Sequence, residues 1–113
     1  MNDNEIIEAV KTIYKILKNF ESQLDNEEFK KDYLDYSIYK ISELRFMRYL
    51  QMLIKNEFIE GITIEQMADK SFYIKSYNPQ ITLKGIEYLA ENSAMQKAVN
   101  IIKEAGQMAV SIL

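Results

Sequence analysis

Between Ser42 and Pro79 the sequence changes its hydrophobic period once, from helical to alternating, and this change constrains the fold more than any other feature. From Glu43 to about Asn56, projection at about 100° per residue puts Phe46, Met47, Leu50, Leu53 and Ile54 on one side. Ser42 stands where an N-cap oxygen is needed. Phe58–Ile64 then alternates like a strand, with Gly61 marking a bulge or bend. Glu65–Lys70 is polar and turn-like, and Ser71–Lys75 reads as the returning strand. Asn78-Pro79 is expected to end this hairpin, because Pro lacks a ladder donor and biases its predecessor toward extended geometry.

The flanks are largely helical. Ile6, Val10, Ile13, Leu17, Phe20 and Leu24 recur at three- and four-residue spacings, so residues 5–24 form an amphipathic helix, with Asn2 or Asn4 able to cap it. Lys11, Lys15, Lys18 and Glu21 take the opposite face. Residues 25–41 lack a clear period. Asp25 and Glu28 resemble a capping box for a short helix near 26–33, and Tyr33–Ile41 fits a short strand or one helical turn. After the hairpin, Thr82 caps a helix through Asn92, with Leu83, Ile86 and Leu89 or Ala90 inward. Ser93 with Gln96 resembles a second capping box that opens a last helix, about 94–113. Met95, Ala98, Ile102, Ala105, Ala109 and Ile112 line that helix.

This order predicts an α+β, mainly α chain. It is the order of a winged helix-turn-helix with a two-stranded wing and an extra C-terminal helix. At 113 residues, 1–113 is expected to be a single domain.

Composition narrows the chemistry. The chain has no Cys and no His, which removes disulfides, thiolate metal sites, thiol nucleophiles and every His-dependent triad. Three glycines at 61, 85 and 106 make no phosphate-binding loop. The carboxylates at Asp25, Glu27 and Glu28, and at Asp32 and Asp35, read as helix-start and loop charge. The chain is therefore expected not to be an enzyme and to use no cofactor and no metal. Its start is polar and acidic, unlike a signal peptide, and no apolar run nears the roughly 18 residues a bilayer span requires. A cytoplasmic location, with no membrane partner, is expected.

Charge is unevenly spread. The net charge is -3, yet residues 36–56 carry Lys40, Arg45, Arg48 and Lys55 against Glu43 alone. Residues 57–69 hold four acids and no base, whereas residues 70–86 hold Lys70, Lys75 and Lys84 and no acid. Both arginines of the chain lie on the helix before the hairpin, and Arg suits bidentate contact to guanine or phosphate. Arg45, Arg48, Met52 and Lys55 project to the face away from the core, with Tyr49 beside them. Arg45, Arg48, Tyr49 and Lys55 are thus the expected groove-facing residues, with Arg48 the base contact. Lys70 and Lys75 are expected to meet the DNA backbone.

Two segments carry a family resemblance. Ile81-Thr82-Leu83-Lys84-Gly85-Ile86-Glu87-Tyr88-Leu89-Ala90-Glu91-Asn92-Ser93 and Leu50–Gly61, with Tyr14-Lys15-Ile16-Leu17-Lys18 near the start, resemble the YjcQ-like family of small bacterial and phage-encoded proteins. The resemblance implies a winged-helix fold and a phage or prophage context. Independently of it, Gly85 near a helix start suits close approach of a neighbouring backbone.

The leading expectation is a winged-helix DNA-binding protein, a phage or prophage transcriptional regulator. The alternative is a phage-encoded interaction module that kept the fold without binding DNA and engages a host protein. Met52 and Tyr49, both favoured in protein contacts, support it. A homodimer through the first and last helices is also expected, since their apolar stripes are broad.

Overall fold

In the computed structural model, residues 3–93 are described. They form an α+β, mainly helical unit with the layout of a winged helix. α1 spans Asp3–Ser22 and α2 spans Glu43–Lys55; β1 spans Ile59–Gln66, β2 spans Phe72–Ile81, and a third helix, α3, covers 83–93. The expected last helix, its Gln96 cap partner and its dimer seam lie outside the described residues. At the described end of α3 the Ser93 hydroxyl donates to the Ala90 carbonyl at 3.1 Å.

One apolar core joins these elements. Ile16, Leu17 and Phe20 of α1 meet Phe46, Leu50 and Leu53 of α2, and Ile59, Ile62 and Ile81 close the core from the hairpin base. Burying each such side chain is worth about 1.5–3 kcal/mol. The α1 stripe is narrower than its periodicity suggests: Leu17 and Phe20 are buried, but Ile6 and Leu24 are exposed, and Ile16 takes a core place instead. Asn4 lies inside the helix and does not cap it.

Residues 25–41 do not contain the expected helix near 26–33, and of the two alternatives for Tyr33–Ile41 the helical turn is found and the strand is not. Two single-turn 3₁₀ helices, Lys31–Leu34 and Tyr36–Tyr39, stand where a helix-turn-helix would have its second helix. The nearly buried Gln23 outcompetes the Asp25–Glu28 box: its Oε1 accepts from the Lys30 backbone N–H at 2.9 Å and from Asn26 Nδ2 at 3.1 Å. Asp35 caps the second turn by accepting from the Ser37 N–H and hydroxyl, and Tyr39 stacks on Phe46 with ring centroids 5.2 Å apart.

Ser42 caps α2 as expected, accepting from the Arg45 N–H. The helix ends in a Schellman turn: the Glu57 N–H bonds the Ile54 carbonyl and the Phe58 N–H bonds the Leu53 carbonyl. Glu57 takes the left-handed conformation there, at φ 62°.

The hairpin runs further than Asn78-Pro79. β2 continues to Ile81, with Ile59 opposite Ile81 and Glu60 opposite Gln80. Between Glu60 and Ile62 the register shifts, so that Tyr77, Asn78 and Pro79 bulge against Gly61 alone. Within the bulge Pro79 owes no ladder hydrogen bond, which is why the strand passes through it. Gly61, at φ +82°, is required: a Cβ there would lie 2.6 Å from the Asn78 carbonyl oxygen.

Thr82 caps α3 as expected, accepting from the Gly85 N–H at 3.1 Å. The inward face matches the expected one at Leu89 and differs at Leu83 and Ile86. Gly85 and Leu89 are buried and Tyr88 is half-buried, packed on Phe58 at 5.0 Å, whereas Leu83 and Ile86 are exposed.

Candidate nucleic-acid interface

The exposed side of α2 is built by the same 100° rotation that buries Phe46, Leu50 and Leu53. It presents Leu44, Arg45, Arg48, Met52 and Lys55, with Glu43 in the first turn as the helix's one acid. Arg48 sits between Leu44 and Met52, which are 47% and 50% exposed. Arg45, Arg48 and Met52 rim a shallow depression of about 260 Å³.

Tyr49 departs from its expected place. It is 6% exposed and belongs to the core, with only its hydroxyl reaching the rim. That hydroxyl accepts from Arg45 Nη1 at 2.9 Å, and the guanidinium lies 5.8 Å from the ring centroid. The hydrogen bond to Tyr49, reinforced by Glu5 from α1, raises the Arg45 pKa above its usual value. Tyr49 is therefore a core residue whose hydroxyl orients Arg45.

Lys55 is exposed in the last turn of α2, where its charge also suits the helix dipole. Lys70 and Lys75 stand apart from this face. Lys70 occupies the hairpin turn in the left-handed conformation, at φ 70°, with its N–H bonded to the Met67 carbonyl. Lys75 lies on the outer side of β2 opposite Thr63.

Sequence reasoning overlooked the aromatic residues beside Lys75. Tyr73 and Tyr77 are 53% and 88% exposed. The alternation of Tyr73, Lys75 and Tyr77 was the available signal.

The wing is less basic than its second strand suggests. Pairing lays the acidic segment against the basic one, with Glu65 opposite Tyr73 and diagonal to Lys75. From Ile59 to Ile81 the hairpin carries Glu60, Glu65 and Asp69 against Lys70 and Lys75. The concentrated positive charge in this half of the molecule belongs to α2 alone.

The segments that carry the family resemblance are engaged in packing. The Thr82 N–H donates to the Phe58 carbonyl and its hydroxyl to the Glu57 carbonyl, fastening α3 to the Schellman turn of α2. Lys84 Nζ pairs with Glu57 at 3.6 Å. Gly85 must lack a side chain, since a Cβ would strike the Phe58 carbonyl oxygen and Ile81. Among the described residues no group of three or more Asp or Glu could hold a metal ion, and no helix is long and apolar enough to cross a membrane.

No curated protein and no solved structure matches the chain significantly. A family model described as "YjcQ protein" matches residues 14–108, which takes in α1 from Tyr14 onward, α2, the hairpin and α3, and on that match the chain belongs to the YjcQ family.

Proposed function

We propose that the protein is a winged-helix DNA-binding protein that acts as a transcriptional regulator in a phage or prophage setting. Its reading element is the exposed face of α2. The observation that carries this reading is the charge on that face: Arg45, Arg48 and Lys55 are all exposed, against Glu43 alone. Arg48, in mid-helix between two side chains that leave it accessible, is the base-reading residue. Arg45, steered by Tyr49, contacts the phosphate backbone. Lys70 and Lys75 add weaker backbone contacts, because the acids of the wing offset them.

A second reading is a module that binds a host protein through the same face. Exposed Leu44 and Met52 around Arg48 favour it, as do Tyr73 and Tyr77 on the wing, since Met, Tyr and Arg are enriched in protein interfaces. A random-sequence DNA selection run with the wild type and with Arg48→Ala separates the two. DNA reading predicts an enriched motif that relaxes at one position in the variant, at a cost of about 1–3 kcal/mol for the lost contact. Failure to enrich any motif, with specific capture of one protein through the Leu44–Met52 face, supports the second reading.

A further inference from the structure

We infer that the groove between α1 and the 39–41 segment is a second binding surface, one that holds the phosphate backbone of the same DNA. The inference rests on the DNA-binding reading of α2 and adds a site remote from its reading residues. The groove has a volume of about 700 Å³ and is lined by Lys11, Lys15 and Lys18 of α1 and by Lys40, with Glu8 as its one acid, paired with Lys11 at 4.0 Å. Lys15, Lys18 and Lys40 are exposed and form no ion pair among the described residues. These three cations, outside the Lys11–Glu8 pair, repel one another around one concavity, and a bound polyanion relieves that repulsion.

The geometry suits a strand of phosphates better than a single small anion. Lys11, Lys15 and Lys18 follow one another by four and three residues, which places them about 6 and 4.5 Å apart along the helix axis. That run of roughly 10 Å is longer than a single small anion and reaches more than one phosphate of a strand. The groove floor is polar and fixed: Asn19 Nδ2 donates to the Tyr39 hydroxyl at 3.1 Å, and that hydroxyl donates to the Tyr33 carbonyl at 3.0 Å.

The groove is also continuous with α2. Glu8, Thr12 and Ile41 line both it and the neighbouring depression, which ends at Arg45 and Tyr49, and Arg45 and Tyr49 in turn rim the Arg48 depression. A track of cations therefore leads from Arg48 through Arg45 to Lys40 and α1. Glu5 and Glu8 border its middle section and weaken it there.

The test is fluorescence anisotropy with a labelled random-sequence duplex of about 25 base pairs, across a series of salt concentrations. The variants are Lys15→Ala/Lys18→Ala/Lys40→Gly and, separately, Arg48→Ala/Lys55→Ala. Gly suits position 40, which holds a left-handed φ of 57°, so the groove variant should fold as well as the wild type. The groove variant should lower the slope of log K against log salt by about 2–3 and weaken binding at least tenfold at about 100 mM salt. The same loss should be seen on every sequence. If the wild type binds duplex and the groove variant keeps its slope and affinity, the groove inference is overturned and the reading of α2 stands. If the groove variant loses binding while the α2 variant loses none, the α2 reading fails and the groove remains. A wild type with no affinity for duplex at about 50 mM salt overturns both.

Discussion

Gly85 shows how a family-like segment can be about packing before it is about function. Its missing side chain lets α3 press on the Phe58 carbonyl, and Thr82 locks the same turn from the other side. Gly85→Ala should therefore cost about 1–3 kcal/mol, read as a lower Tm or urea midpoint, although Ala is normally the better helix residue. Two carboxylates respond to pH. Hydrogen bonds from the Ser37 backbone and hydroxyl hold the Asp35 pKa below its usual value, and those from the Ser71 hydroxyl and backbone do the same for Asp69. Each depressed pKa stabilises the fold at pH values above the ordinary carboxylate range, and that stabilisation is lost as pH falls through the folded-state value. Urea midpoints measured from pH 6 down to pH 2 should fall, and Asp69→Asn should flatten part of that fall. The close-approach role of Gly85 was legible in the sequence. The burial of Tyr49 was not, because a helical projection cannot say that a polar tip at the edge of the core will find Arg45 as its partner.

At the scale of elements, legibility follows periodicity. α2 and its Ser42 cap were readable because a single apolar face and a single cap define them. Residues 25–41 were not, because the 3₁₀ turns there are held by side chain–backbone hydrogen bonds from Gln23 and Asp35 and present no repeating face. The wing is intermediate. Its two strands were evident, but the rule that Pro ends a strand gave way to a bulge that excuses Pro79 from the ladder. The hairpin turn also stores removable strain. The Met67 N–H bonds the Ser71 carbonyl and the Lys70 N–H bonds the Met67 carbonyl, which leaves Lys70 at the left-handed position where Gly is usual. Lys70→Gly should stabilise the protein by about 0.5–1 kcal/mol in thermal unfolding, and because the wing is not the main basic element, DNA affinity should fall only slightly.

Across the whole molecule, charge read along the chain and charge read on the surface give different maps. The chain alternates acidic and basic segments. Folding superposes two of them in the hairpin and cancels most of the basic wing. It also gathers lysines of α1 with Lys40, which belong to segments of opposite net sign, into one groove. Residue spacing alone could not anticipate that meeting, because it depends on how the 3₁₀ turns bring Lys40 back to α1. The charge track that results runs over α2 and α1 and leaves the wing at its margin.

The most direct test of this account is to titrate duplex DNA into the isotopically labelled protein and map the amide chemical-shift changes. DNA bound along α2 and the α1 groove should produce changes centred on Arg45, Arg48 and Lys55 of α2 and extending to Lys15, Lys18 and Lys40, with smaller ones at Lys70 and Lys75. Shifts absent throughout the titration, or confined to the wing around Tyr73 and Tyr77, would contradict it.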